Sequence, residues 1–125
     1  MWADFFRDGG IGMFPTALFG LFLIASAVRL VLRPERRRAV LTAVLGLLTF
    51  AMGALGTTAG LITTFRYVAR VTDEDPLRTA AVGCAESLNN AVLALMLCSL
   101  ALLLAAVSAL RVARGSAGGL EAEAE

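Results

Sequence analysis

Three long apolar stretches divide the chain: Ile11–Leu32, Ala39–Phe65 and Ala91–Leu110, the last with a weaker apolar lead-in from Thr79. A helix crossing a hydrocarbon core of about 30 Å needs about 20 residues at 1.5 Å each. Each stretch meets that length. The pattern predicts an all-α integral membrane protein with three transmembrane helices, over about 11–32, 39–65 and 76–112. They form a single three-helix domain over 1–112. Residues 113–125, ending in GSAGGLEAEAE, read as a disordered acidic tail.

Local signals set the boundaries. Pro15 falls in the first turn of the first helix, where its missing N–H does no harm. Arg33-Pro34 ends that helix, and the link Arg33–Arg38 is short enough to make the first two helices antiparallel neighbours. The middle helix, at about 40 Å, exceeds the hydrocarbon thickness, so it tilts or projects into water. Asp75 is a good N-cap and Pro76 a good first residue for the third helix.

Small and polar residues on the middle helix fall in one row: Thr42, Gly46, Thr49, Gly53, Gly56, Gly60 and Thr63, at alternating steps of four and three. Thr57 and Thr64 form a second polar line beside it. The third helix repeats the theme with Gly83, Ser87, Asn90, Ala94, Cys98, Ala101, Ala105 and Ser108. Such rows serve close helix packing, for which Gly46, Gly53, Gly56, Gly60, Gly83 and Ser87 are the prime candidates. They also suit a narrow polar passage, for which the candidate lining residues are Thr57, Thr64, Glu86 and Asn90. Threonine leaves both readings open, because its hydroxyl either meets water or bonds its own i−4 carbonyl. The first helix has Gly20 and Ser26 but no sustained polar stripe, and is expected to be the most lipid-exposed of the three.

Charge adds orientation. Net charge is +1, and every cation is arginine, since the chain has no His and no Lys. Arg29, Arg33, Arg36, Arg37, Arg38, Arg111 and Arg114 gather at one end of the helices, against Arg7, Arg66, Arg70 and Arg78 at the other. By the positive-inside rule the richer end is cytoplasmic, which puts the N-terminus outside and the C-terminus inside. The opening MWADFFRDGG lacks the net positive charge of a leader, so the first span is expected to be retained.

Glu86 is the only carboxylate within a candidate span. An acid there is functional by default if it lies in the bilayer, and merely solvated if it lies above it. Cys84 and Cys98 sit fourteen residues apart on one helix, about 21 Å, beyond disulfide reach. No metal-ligand spacing, catalytic constellation or cofactor motif is visible, so neither metal, cofactor nor enzymatic activity is expected. Basic residues without interleaved aromatics give no reason to expect nucleic-acid binding.

Three segments together resemble the MotA/TolQ/ExbB proton-channel family. They are Gly9-Gly10-x-x-Met13-x-Pro15, then Met52-Gly53-Ala54-Leu55-Gly56-Thr57-Thr58-Ala59-Gly60-Leu61, which is similar to the family's Leu-Gly-x-x-Gly-Thr-x-x-Gly-Leu signature, and Ala85-Glu86-Ser87-Leu88. The resemblance implies a homo-oligomer in a bacterial inner membrane, with a pentamer as the expected count and the second and third helices around a pore. It also implies a single-span partner of the ExbD, TolR or MotB kind inside the ring. Thr57 then matches the family's pore threonine and Glu86 its third-helix glutamate. The short Arg33–Arg38 link stands where the family carries a long cytoplasmic segment, and Asn89, Asn90 and Ala91 stand near its third-helix threonine. The alternative is a non-conducting membrane scaffold whose stripes serve helix packing alone.

Overall fold

A computed structural model describes residues 13–71 and 75–124. Three helices account for it: α1 (Met13–Leu32), α2 (Arg36–Arg70) and α3 (Pro76–Ala124). There is no strand among the described residues. All three helices are long and apolar enough to cross a membrane. Most of their large apolar side chains point outward, among them Leu21, Leu47, Leu55 and Leu102, as lipid rather than water requires.

Helix boundaries follow the local chemistry. The α3 N-terminus is capped by Asp75, whose Oδ1 accepts from the Arg78 backbone N–H at 3.2 Å. Pro76 opens the helix without wasting a donor. The C-terminus of α1 has a particular problem. The Leu30 carbonyl would normally accept from residue 34, but Pro34 has no N–H. Ser108 on α3 supplies the missing bond, its Oγ donating to the Leu30 carbonyl at 3.1 Å. Arg111 donates to the neighbouring Val31 carbonyl at 3.2 Å and brings positive charge to the negative end of the α1 dipole. Ser108→Ala should therefore destabilise the bundle by about 1–2 kcal/mol, because the Leu30 carbonyl is left without a donor in an apolar setting. Thermal unfolding in detergent reads this, and an unchanged midpoint would refute the staple.

The helices meet one another on all three sides, α2 with α3 most extensively. Within one chain α1 is the most buried of the three helices, although it carries no sustained polar stripe. In its most apolar stretch 28% of residues are buried in the bundle, against 17% in each of the others. Its buried row, Met13, Thr16, Gly20, Leu23, Ala27 and Leu30, steps by three and four. Gly20 lets the Leu97 side chain of α3 sit directly on the α1 backbone. Leu23 and Ala27 form an apolar cluster with Ala101 of α3, joined by Ile24, Leu45, Cys98 and Leu104. This row mixes apolar and polar members, so a search for polar stripes passes over it.

A departure from the sequence expectation lies at the C-terminal end. Residues 113–124, expected to be disordered, continue α3 as helix. Added β-carbons at Gly115, Gly118 and Gly119 would meet nothing, so no packing contact against these three glycines holds this extension. The Ala-Glu alternation at its end consists of good helix formers, and no proline interrupts the hydrogen-bond ladder.

Candidate functional site

The row of small residues on α2 turns into the protein. Thr42, Thr49 and Gly53 are buried, and Gly46, Gly56 and Gly60 half-buried. A β-carbon added at Gly53 would overlap that of Ala94 on α3, and one at Gly60 would meet the Ser87 hydroxyl. Gly83 repeats the arrangement in reverse, taking the Thr64 side chain of α2 against its backbone. Gly46 is looser, with Leu23 Cδ1 at 3.8 Å from its added β-carbon, and its carbonyl accepts from Cys98 Sγ at 3.5 Å. Helices without a hydrophobic drive toward one another associate through such close backbone approach.

Thr63 leaves the row and is exposed. Steps of four and three average 3.5 residues, whereas a straight helix turns in 3.6, so the row drifts by about 20° per seven residues. By its third repeat it has rotated off the seam. Thr57 and Thr64 take over, and the working row is Gly53, Thr57, Gly60 and Thr64.

Hydroxyl groups are satisfied mainly within their own helices. Thr49 donates to the Leu45 carbonyl, Thr57 to Gly53, Thr64 to Gly60, and Ser87 to Gly83. Besides the Ser108 bond to α1, a hydroxyl contact crosses between helices and binds α1 to α2. Thr42 donates to the Arg38 carbonyl at 2.9 Å, so the Ser26–Thr42 contact of 2.8 Å is one in which Ser26 donates and Thr42 Oγ1 accepts.

Of the four candidate lining residues, two share an atom. The Gly53 carbonyl accepts from Thr57 Oγ1 at 2.9 Å and from Asn90 Nδ2 at 3.3 Å. Asn90 is 1% exposed, and its Oδ1 is buried with no hydrogen-bond partner among the described residues. Thr64 and Glu86 lie together, along with Tyr67, Asp75 and Arg78, in a cleft of about 660 Å³ between the C-terminal end of α2 and the N-terminal end of α3. Glu86 is exposed there. On the α3 helical wheel it falls on the flank of Leu97 and Leu104, the flank that meets α1. Thr57 falls on the opposite side of the seam, in line with Phe50. The structure thus joins Thr57 with Asn90, and Thr64 with Glu86, and puts the seam between Thr57 and Glu86.

At the other end α2 and α3 part. The opening is a groove of about 850 Å³, floored by Leu23 and Leu30 of α1 and reaching Pro34, Glu35 and Arg36 at its mouth. Sequence reasoning misses this groove. Its only signal is the run of alanines that makes it, Ala39 and Ala43 on α2 and Ala101, Ala105 and Ala109 on α3.

Among the described residues no cluster of His, Cys, Asp or Glu has the makings of a metal site. Both cysteines are free thiols. No protein-family model, no curated protein and no solved structure matches this chain.

Proposed function

We propose that the chain is a proton-channel-type subunit of a bacterial inner-membrane complex, similar to the MotA/TolQ/ExbB family. In this reading several copies, a pentamer by the family pattern, form a ring lined by α2 and α3. The N-terminus lies outside and the C-terminus inside. A single-span partner of the ExbD, TolR or MotB kind sits within the ring, and ion flow past it is coupled to work. The supporting observation is the polar line along the α2–α3 seam. It runs from Thr64 at the outer cleft to the Gly53 carbonyl shared by Thr57 and Asn90, with Glu86 on the α1-facing flank beside it. At the foot of that line the Asn90 amide oxygen is buried without a partner among the described residues, a polar group that packing of an apolar seam alone does not call for.

Proton flux into liposomes, measured with and without a candidate single-span partner, tests this. Thr57→Val preserves shape and removes the hydroxyl, and is expected to lower partner-dependent flux by tenfold or more. Equal flux from wild type and variant would remove Thr57 from the path.

A packing scaffold is the second reading, and a specific observation favours it. Gly53, Gly60 and Gly83 are each occupied by a facing side chain, which leaves no space at those points for a file of water. Under it, Thr57→Ala leaves assembly intact, and no partner elicits flux.

A further inference from the structure

We propose that the inner groove between α2 and α3 is a binding site for one anionic phospholipid of the arginine-rich leaflet. Its phosphate would lie at Arg36 and an acyl chain would follow the furrow toward Phe50.

The groove is apolar along its length and charged at one end. Leu23 and Leu30 form its floor, and Ala43 and Leu47 of α2 face Ala105 and Ala109 of α3 across it. The methyl side chains of Ala39 and Ala43 on one wall and of Ala105 and Ala109 on the other keep the trough open. Arg36 stands at the mouth, with Arg33 and Arg37 on the same short link. Glu35 is the one acid on that link, and it is engaged by Arg38 at 3.2 Å. Among the described residues Arg36 makes no ion pair. A cation without a counter-charge thus closes one end of a hydrocarbon-lined furrow. An anionic head on a hydrocarbon tail complements both parts. Basic pockets between transmembrane helices recognise lipid headgroups in this way.

Charge also argues against a second copy in the groove. A copy whose helix entered the groove would press its own Arg33, Arg36, Arg37 and Arg38 against this mouth, where like charges repel, whereas copies meeting along other faces of α2 and α3 keep those ends apart. A lipid phosphate neutralises that end instead. The proposal does not depend on the channel reading, since lipid retention and proton flux are read separately.

The test uses the full chain in nanodiscs of equal phosphatidylglycerol and phosphatidylcholine, extracted gently and weighed by native mass spectrometry. Phosphatidylglycerol should be retained in preference to phosphatidylcholine. Arg36→Gln should lower that preference about fivefold, whereas Arg78→Gln, at the opposite end of the bundle, should leave it unchanged. Ala105→Phe should expel lipid of either headgroup from a protein whose circular dichroism remains helical. Should that variant misfold, Ala109→Leu fills the same furrow with less bulk. Added inorganic phosphate should not displace the lipid. Equal retention of the two lipids, or a preference indifferent to Arg36→Gln, would overturn the proposal. So would a lipid-free dimer, or a complex with a single-span protein, that Ala105→Phe dissolves.

Discussion

Gly53→Ala is expected to destabilise the bundle by about 2 kcal/mol, and Gly53→Leu by more, because the new β-carbon overlaps that of Ala94 where both are held by helix backbone. Neither atom is the end of a flexible side chain, so relief requires the helices to separate. That separation also breaks the Asn90 bond to the Gly53 carbonyl. Gly46→Ala provides the contrast. Its nearest neighbour stands at an ordinary 3.8 Å, and replacing a helical glycine by alanine gains up to about 1 kcal/mol of propensity. Thermal or detergent-induced unfolding of the two variants should move in opposite directions. Equal losses would mean that the α2–α3 seam is not the close contact described.

Asn90→Leu is expected to stabilise the isolated subunit by about 1–2 kcal/mol. It removes an unpartnered acceptor from an apolar seam, and the Gly53 carbonyl keeps its bond from Thr57. Leucine branches at Cγ as asparagine does but is bulkier, so overpacking offsets part of the gain. Asn90→Asp has the opposite sign. It places an ionisable group among Gly53, Ala94 and Ser87 at a site 1% exposed, and should cost about 3 kcal/mol. The pair of measurements also bears on function. If Asn90→Leu gains stability while abolishing flux, the amide is kept for its chemistry. Should it instead lose stability, Oδ1 has a partner in the assembled protein.

The three helices are legible in the sequence because hydrocarbon imposes a length and an apolar composition that few soluble segments share. The start of α3 is equally plain, since Asp75 and Pro76 act locally. The inward turn of Gly53 and Gly60 follows from their spacing, as does that of Ser87, Asn90, Ala94 and Ala101 on α3. What the pattern obscures is drift. A 3.5-residue row continued to Thr63 runs off a 3.6-residue helix, and where Thr57 and Thr64 replace it depends on how α2 and α3 pack. The burial of α1 is hidden for a different reason. In lipid the buried and exposed faces of a helix are both apolar, so Leu23 inside and Leu21 outside carry the same signature. The Ser108 and Arg111 contacts join residues nearly eighty positions apart, and no local rule reaches that far. Glu86 shows the limit of a motif. Ala85-Glu86-Ser87-Leu88 fixes neither its exposure nor its flank, which depend on where α1 packs.

The tie between the last carbonyls of α1 and the side chains of Ser108 and Arg111 has a mechanical consequence. Sliding α3 along its own axis by a single turn, about 5.4 Å, would tear both bonds and strand the Leu30 oxygen that Pro34 cannot serve. Losing both bonds costs a few kcal/mol by the usual worth of a hydrogen bond, about 1 kcal/mol each and more where an acceptor is left buried, so axial sliding of α3 is disfavoured relative to a pivot or roll that keeps them.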